Sequence, residues 1–187
     1  SKMTKKELKS PEVIHFIGNI FATRNYNDTA IDKYKQALNM EPDYAEAYNS
    51  LGIAFKNKNN LHNAIQNYKK AISIKLDYAE AFNNTANALR AKGDLKAAII
   101  NYKKALKIKP EFTEIYNNLG STLADIGDLD GAIDSAQQAL MIKPDSFEAY
   151  TNMGIAWLLK GTVDVAIDCH KEALRINPDY AMAHWNQ

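Results

Sequence analysis

One eight-residue phrase recurs along this chain at a fixed spacing of 34 residues. It reads Ala-Glu-Ala-Tyr-Asn-Ser-Leu-Gly at 45–52 and Ala-Glu-Ala-Phe-Asn-Asn-Thr-Ala at 79–86. It returns as Thr-Glu-Ile-Tyr-Asn-Asn-Leu-Gly at 113–120 and Phe-Glu-Ala-Tyr-Thr-Asn-Met-Gly at 147–154. A period of that size marks an array of stacked units, each unable to bury its apolar face alone. Length therefore counts repeats and not domains: five repeats at 11–44, 45–78, 79–112, 113–146 and 147–180. A basic extension at 1–10 precedes them and a partial sixth repeat at 181–187 follows.

With each repeat numbered 1 to 34, position 4 is Ile14, Tyr48, Phe82, Tyr116 and Tyr150. Position 8 is Gly18, Gly52, Ala86, Gly120 and Gly154, and position 11 is apolar throughout. Apolar residues at 4, 7, 8 and 11 mark one face of a first helix, A. A second helix, B, carries Ala at positions 20 and 27 in all five repeats. Position 24 is Tyr34, Tyr68, Tyr102, Ala136 and His170. Small residues at 8, 20 and 27 let two antiparallel helices approach closely, and the large ones at 4, 11 and 24 fill the gaps.

The punctuation agrees with that pattern. Gly93, Gly127 and Gly161 stand between A and B as helix stops, and Asn25 and Asn59 take that place in the first two repeats. Helix B is closed by Pro42, Pro110, Pro144 and Pro178. Asp43, Asp77 and Asp145, each three residues before a Glu, are expected to cap the following helix A. Leu76 stands where the other repeats have Pro, which predicts an irregular turn at 74–79 or a longer helix B.

These positions resemble those of the tetratricopeptide repeat (TPR) family over residues 11–180. The resemblance implies an all-α solenoid, a right-handed superhelix of antiparallel helix pairs whose A helices line a concave groove. It departs from the family pattern at Thr85-Ala86, Ala136 and Leu76.

On helix A, positions 2, 6, 9 and 13 point away from the apolar stripe. Position 6 is Phe16, Ser50, Asn84, Asn118 and Asn152, and again Asn186 in the partial repeat. A column of Asn amides could hydrogen-bond the backbone of an extended peptide. It resembles the asparagine ladder in the TPR superhelix of O-linked N-acetylglucosamine transferases. The alternative is that Asn is simply the commonest residue of the repeat at this place. The candidate groove comprises Asn49, Ser50, Asn83, Asn84, Asn87, Asn117, Asn118, Ser121 and Asn152. Because the position-6 side chains lie off the apolar stripe, removing them should barely affect stability.

Position 2 is Glu in every full repeat, read either as an acidic groove for basic peptides or as helix-end stabilisation. TPRs that grip acidic chaperone C-termini use Lys and Arg at groove positions where this chain has Glu, Asn or Ser, so that role is excluded. Lys35, Lys69, Lys103 and Lys171 share position 25 without interleaved aromatics, the pattern of a solvated surface and not of a nucleic-acid site. The formal charge of +1 gives no electrostatic case for nucleic acid or an anionic membrane.

The four histidines have no metal-ligand spacing, Cys169 has no evident base, and no phosphate-binding loop is present. No catalytic residue, cofactor or metal is expected. No run reaches the length of a membrane span. A single Cys and no apolar leader point to a cytoplasmic protein.

The expected function is a protein- or peptide-binding scaffold. The alternative is the recognition arm of a larger, glycosyltransferase-type enzyme, suggested by the partial repeat ending Ala-His-Trp-Asn-Gln at 183–187. Without a complete cap, the surface around Trp157, His170 and Leu174 is expected to stay partly open. End-to-end self-association through residues 150–187, or a chain that continues, would cover it.

Overall fold

The 34-residue period becomes ten α-helices among the residues described, 10–179 of this computed structural model. They are α1 (Pro11–Thr23), α2 (Asn27–Met40), α3 (Ala45–Asn57), α4 (Leu61–Ile74) and α5 (Ala79–Ala91). Then come α6 (Leu95–Ile108), α7 (Thr113–Asp125), α8 (Leu129–Ile142), α9 (Phe147–Leu159) and α10 (Val163–Ile176). No strand occurs among the described residues, and the all-α helix-pair fold is the one the sequence implies. The chain divides into two compact halves, Ser1–Gly93 with α1 to α5 and Asp94–Gln187 with α6 to α10.

Within each half every helix packs on the one before it. Odd-numbered neighbours also touch, α1 with α3, α3 with α5, and α7 with α9. The reason is visible in the side chains. Ala30, Ala64, Ala98 and Ala132 are fully buried at position 20, as are Ala37, Ala71, Ala105, Ala139 and Ala173 at position 27. Those short side chains bring the helix axes together, and the position-24 rings of Tyr34, Tyr68 and Tyr102 fill the remaining space. A Cβ built on Gly18 would lie 2.6 Å from the Tyr34 ring, and one on Gly52 would lie 2.5 Å from the Tyr68 ring. Glycine at position 8 is thus the socket for the aromatic at position 24.

The helix stops follow the sequence reading. Asn25 and Asn59 have φ of 61° and 59°, and Gly93, Gly127 and Gly161 have φ between 83° and 87°. All five occupy the left-handed region in which glycine and then asparagine are easiest to place.

Two local expectations are overturned. Asp43, Asp77 and Asp145 are not N-caps: the cap positions are Tyr44, Tyr78 and Ser146. Tyr44 and Tyr78 make no side-chain cap bond, whereas Ser146 Oγ accepts from the Ala149 amide at 3.3 Å. Each Asp lies one residue too early, inside the turn that follows helix B. The tyrosines gain half-burial in exchange for the missing cap. Carboxylate caps do occur, on helices α6 and α8, through Asp94 and Asp128.

Leu76 disturbs nothing. α4 spans 14 residues, as do α2, α6, α8 and α10, and its C-cap Lys75 is extended like those of α2, α8 and α10. The extended residue and the turn after it end the helix, so proline is not required for the stop. Leu76 is 77% exposed and Lys75 sits at φ −121°, ψ 96°, a conformation compatible with a following proline. Leu76→Pro is therefore expected to raise stability by about 0.5 kcal/mol through loss of unfolded-state freedom. Urea unfolding checks this, and a clear loss would show that the Leu76 amide is needed.

Candidate functional site

Asparagine at one or both of two adjacent positions on α3, α5, α7 and α9 gives these helices their polar chemistry, and the two positions do different work. Position 5 is buried on the two helices of the N-terminal half that carry Asn there: Asn49 is 2% exposed and Asn83 4%. Position 6 is half-buried at Ser50, Asn84, Asn118 and Asn152. Asn87 and Ser121, three residues further on, are half-buried as well.

The two columns are wired to each other 35 residues apart. Asn84 Nδ2 donates to Asn49 Oδ1 at 3.0 Å, and Asn49 Nδ2 donates to Glu80 Oε1 at 3.1 Å. In the C-terminal half, Asn152 Nδ2 donates to the Asn117 carbonyl at 3.0 Å, while Asn117 Nδ2 donates to Ser146 Oγ at 3.3 Å. At the first repeat the same geometry joins His15 Nε2 to Ser50 Oγ at 2.9 Å. Tyr44 Oη lies 3.1 Å from His15 Nδ1. Both neighbours of His15 are hydroxyls, so either ring tautomer is fully satisfied.

This wiring corrects the expectation that these side chains can be removed without cost. Truncating Asn84 would leave the buried Asn49 carbonyl without its donor, which costs about 1–3 kcal/mol. Each cross-repeat bond uses only one amide N–H, so Asn84 and Asn152 keep further hydrogen-bonding capacity.

Beneath the face lies the ring layer. Tyr34 Oη donates to Asn19 Oδ1 at 2.8 Å. The equivalent of Asn19 in the next repeat is Ile53, which packs against the cluster holding Tyr68. The Tyr68 hydroxyl is accordingly buried without a partner. Its burial, with the Glu80 carboxylate a smaller contributor, drives its pKa far upward. Tyr34→Phe should then cost about 1 kcal/mol, whereas Tyr68→Phe should be neutral or stabilising. Denaturation midpoints of the two variants decide this, and equal losses would refute the assignment.

Between α1 and α3 the face opens into a cleft of about 210 Å³ lined by Asn19, Ala22, Thr23, Tyr34, Ser50 and Ile53. Its accessible surface is mostly apolar, and Ser50 joins it to the His15–Tyr44 chain.

At the other end, of the surface expected to stay partly open, His170 is closed, at 1% exposed. Gly154 supplies its socket, as Gly52 does for Tyr68. Trp157 and Leu174 are half-buried, and residues 181–187 lie outside those described. Cys169 is buried, and that burial raises its thiol pKa. Among the described residues no group of His, Cys, Asp and Glu is arranged to hold a metal, and no helix is long and apolar enough to cross a membrane.

No curated protein sequence matches the chain. Solved structures do. One crystal structure of MamA protein shares 27% identity over 91% of this chain and 93% of its own, with a TM-score of 0.80. A MamA fragment from Desulfovibrio magneticus RS-1 shares 17% identity over 96% of this chain and 99% of its own, with a TM-score of 0.83. YrrB, described as a TPR protein with an unusual peptide-binding site, shares 22% identity over 97% of this chain and 93% of its own, with a TM-score of 0.79. The family model for the TPR repeat matches residues 18–59 and 86–127, and that for the tetratricopeptide repeat matches 45–78 and 113–146. With those matches laid over helix pairs whose glycine sockets recur in register, the chain belongs to the tetratricopeptide repeat family.

Proposed function

We propose that the chain is a scaffold that binds protein segments or extended peptides along the polar faces that the odd-numbered helices present within each half. The observation that carries this reading is the position-6 column. Asn84 and Asn152 are held in place by cross-repeat bonds, half-buried, with donor and acceptor capacity left over. An extended backbone presents alternating N–H and C=O groups, which amides fixed at repeat spacing can meet without regard to side chains. The same fold carries a peptide-binding site in YrrB.

Selection of random dodecapeptides on the immobilised chain tests the reading, followed by fluorescence anisotropy with the chain in solution. Asn118→Ala is the informative variant, because the Asn118 side chain makes no hydrogen bond within the described protein and stability should not change. Losing one hydrogen bond to the peptide there should weaken binding about fivefold. Failure to recover any binding peptide would overturn the scaffold reading, and undiminished affinity in Asn118→Ala would remove the Asn column from it.

A further inference from the structure

Repeat arithmetic exposes a site in the first repeat. In the second repeat, Lys75 at position 31 reaches Glu46 at position 2, with Nζ 3.3 Å from Oε1. The same ammonium lies 4.9 Å from the ring centroid of Tyr78 at position 34. A carboxylate and an aromatic face together make a receptor for a cation, and here the chain fills it with its own lysine. The lysine-over-aromatic half of this arrangement recurs at Lys109 and Phe112, 4.5 Å apart.

In the first repeat the residue types of the receptor recur but its cation is replaced. Glu12 occupies position 2, Tyr44 occupies position 34, and position 31 is Glu41. Glu46 on the next helix adds a further carboxylate near the ring. The half-buried Tyr44 phenol is raised in pKa first by burial and then by Glu46, Glu12 and Glu41. Neither Glu12 nor Glu41 forms an ion pair with any described residue, and both are exposed. The Tyr44 ring is braced from behind by His15, with ring centroids 5.0 Å apart.

The second half of the site is the cleft between α1 and α3. Ser50 borders it and also hydrogen-bonds His15, the residue that braces Tyr44, so a hydrogen-bond chain links the cleft to the acidic end. Glu46 and Ser50 are one helical turn apart on α3, about 6 Å along its axis. That distance corresponds to about two residues of extended peptide. The cleft wall on α1 is Asn19, Ala22 and Thr23, none of which carries a charge.

We propose that the α1–α3 seam docks an extended basic peptide segment. An apolar side chain enters the cleft, and a lysine or arginine a few residues away settles on Tyr44 beside Glu12 and Glu41, as Lys75 does at Tyr78. This rests on the scaffold reading above and adds the chemistry of the partner. Charge complementarity selects the cation, and the cleft selects the apolar residue beside it.

The test uses the same random dodecapeptides on the full chain, scored for composition, with two variants assayed by anisotropy. The selected peptides should be enriched in Lys or Arg within a few residues of an apolar side chain. Glu41→Lys supplies the first repeat with a cation of its own, as at Lys75, and should weaken those peptides about tenfold. Glu12→Gln should weaken them less and flatten the dependence on salt. Glu41 is exposed and lies outside α2, so unchanged circular dichroism and melting are expected to accompany the loss in Glu41→Lys. Glu12→Gln, which removes a carboxylate from the first turn of α1, should keep the circular dichroism and lower the melting slightly. Peptides that bind with no cationic enrichment, or that ignore Glu41→Lys, overturn this inference and leave the scaffold reading standing. Recovery of no binding peptide overturns both.

Discussion

Gly52→Ala is expected to destabilise the N-terminal half by about 2 kcal/mol, while Gly120→Ala has almost no effect, although both add one methyl to a helix interior. Alanine in a helix is ordinarily better than glycine by about 1 kcal/mol. At Gly52 that gain is overwhelmed. The new Cβ would sit 2.5 Å and 2.6 Å from Cε1 and Cδ1 of Tyr68, with the Ala64 carbonyl at 3.1 Å. Tyr68 is 0% exposed, so its ring has nowhere to go and the helices must part. Gly120 faces Ala136 and not a ring, and its Cβ would meet Ala132 O at 3.2 Å and Ser135 Cβ at 3.3 Å. A shift of a few tenths of an ångström absorbs those contacts and roughly cancels the propensity gain. A double variant adds a sharper criterion. Tyr68→Ala alone should cost about 3–5 kcal/mol, and combining it with Gly52→Ala should cost less than the sum because the methyl then fills space. Strict additivity in urea unfolding would show that the glycine socket is not what fixes the helix spacing.

That socket was legible in the sequence, because small and large residues recur in register. Legibility failed where the outcome depends on one residue of offset. Asp43 and Asp77 have the composition of N-caps, yet α3 and α5 start two residues later and the cap position falls on tyrosine. Periodicity places a helix face and leaves its first turn undetermined by a residue or two. The candidate site shows a different limit. Asn84 and Asn152 were visible as a column, but their pairing with Asn49 and Asn117 depends on how one helix stacks on the next. A spacing of 35 residues between columns 5 and 6 would have been the signal, since His15 and Ser50, Asn49 and Asn84, and Asn117 and Asn152 all share it. The role of Glu41 is illegible in the sequence for a related reason. It reads as an ordinary surface residue until Lys75, its counterpart one repeat on, is seen on Glu46 and Tyr78.

His170→Phe should stabilise the last helix pair by about 1–2 kcal/mol at pH 7.5, and by more at pH 5. His170 occupies the ring position filled by Tyr34, Tyr68 and Tyr102 in earlier repeats, so an aromatic of that size fits the slot beside Gly154. Both of its ring nitrogens are buried without hydrogen-bond partners among the described residues, an arrangement that phenylalanine removes at no loss of packing. The pH dependence follows from the same burial, which lowers the imidazole pKa in the folded chain. Above the unfolded value of about 6.5 the ring is neutral in both states and contributes no slope. As pH falls below it, the unfolded chain takes up a proton that the folded chain refuses, so stability drops until the lowered folded value is reached. Carboxylates also titrate on the way to pH 5, but they are common to both proteins and cancel in the difference. Chemical denaturation at pH 7.5, 6 and 5 therefore isolates the ring. A gap between variant and parent that stays constant across that range would mean that His170 is protonated as easily folded as unfolded, and hence that its slot admits water.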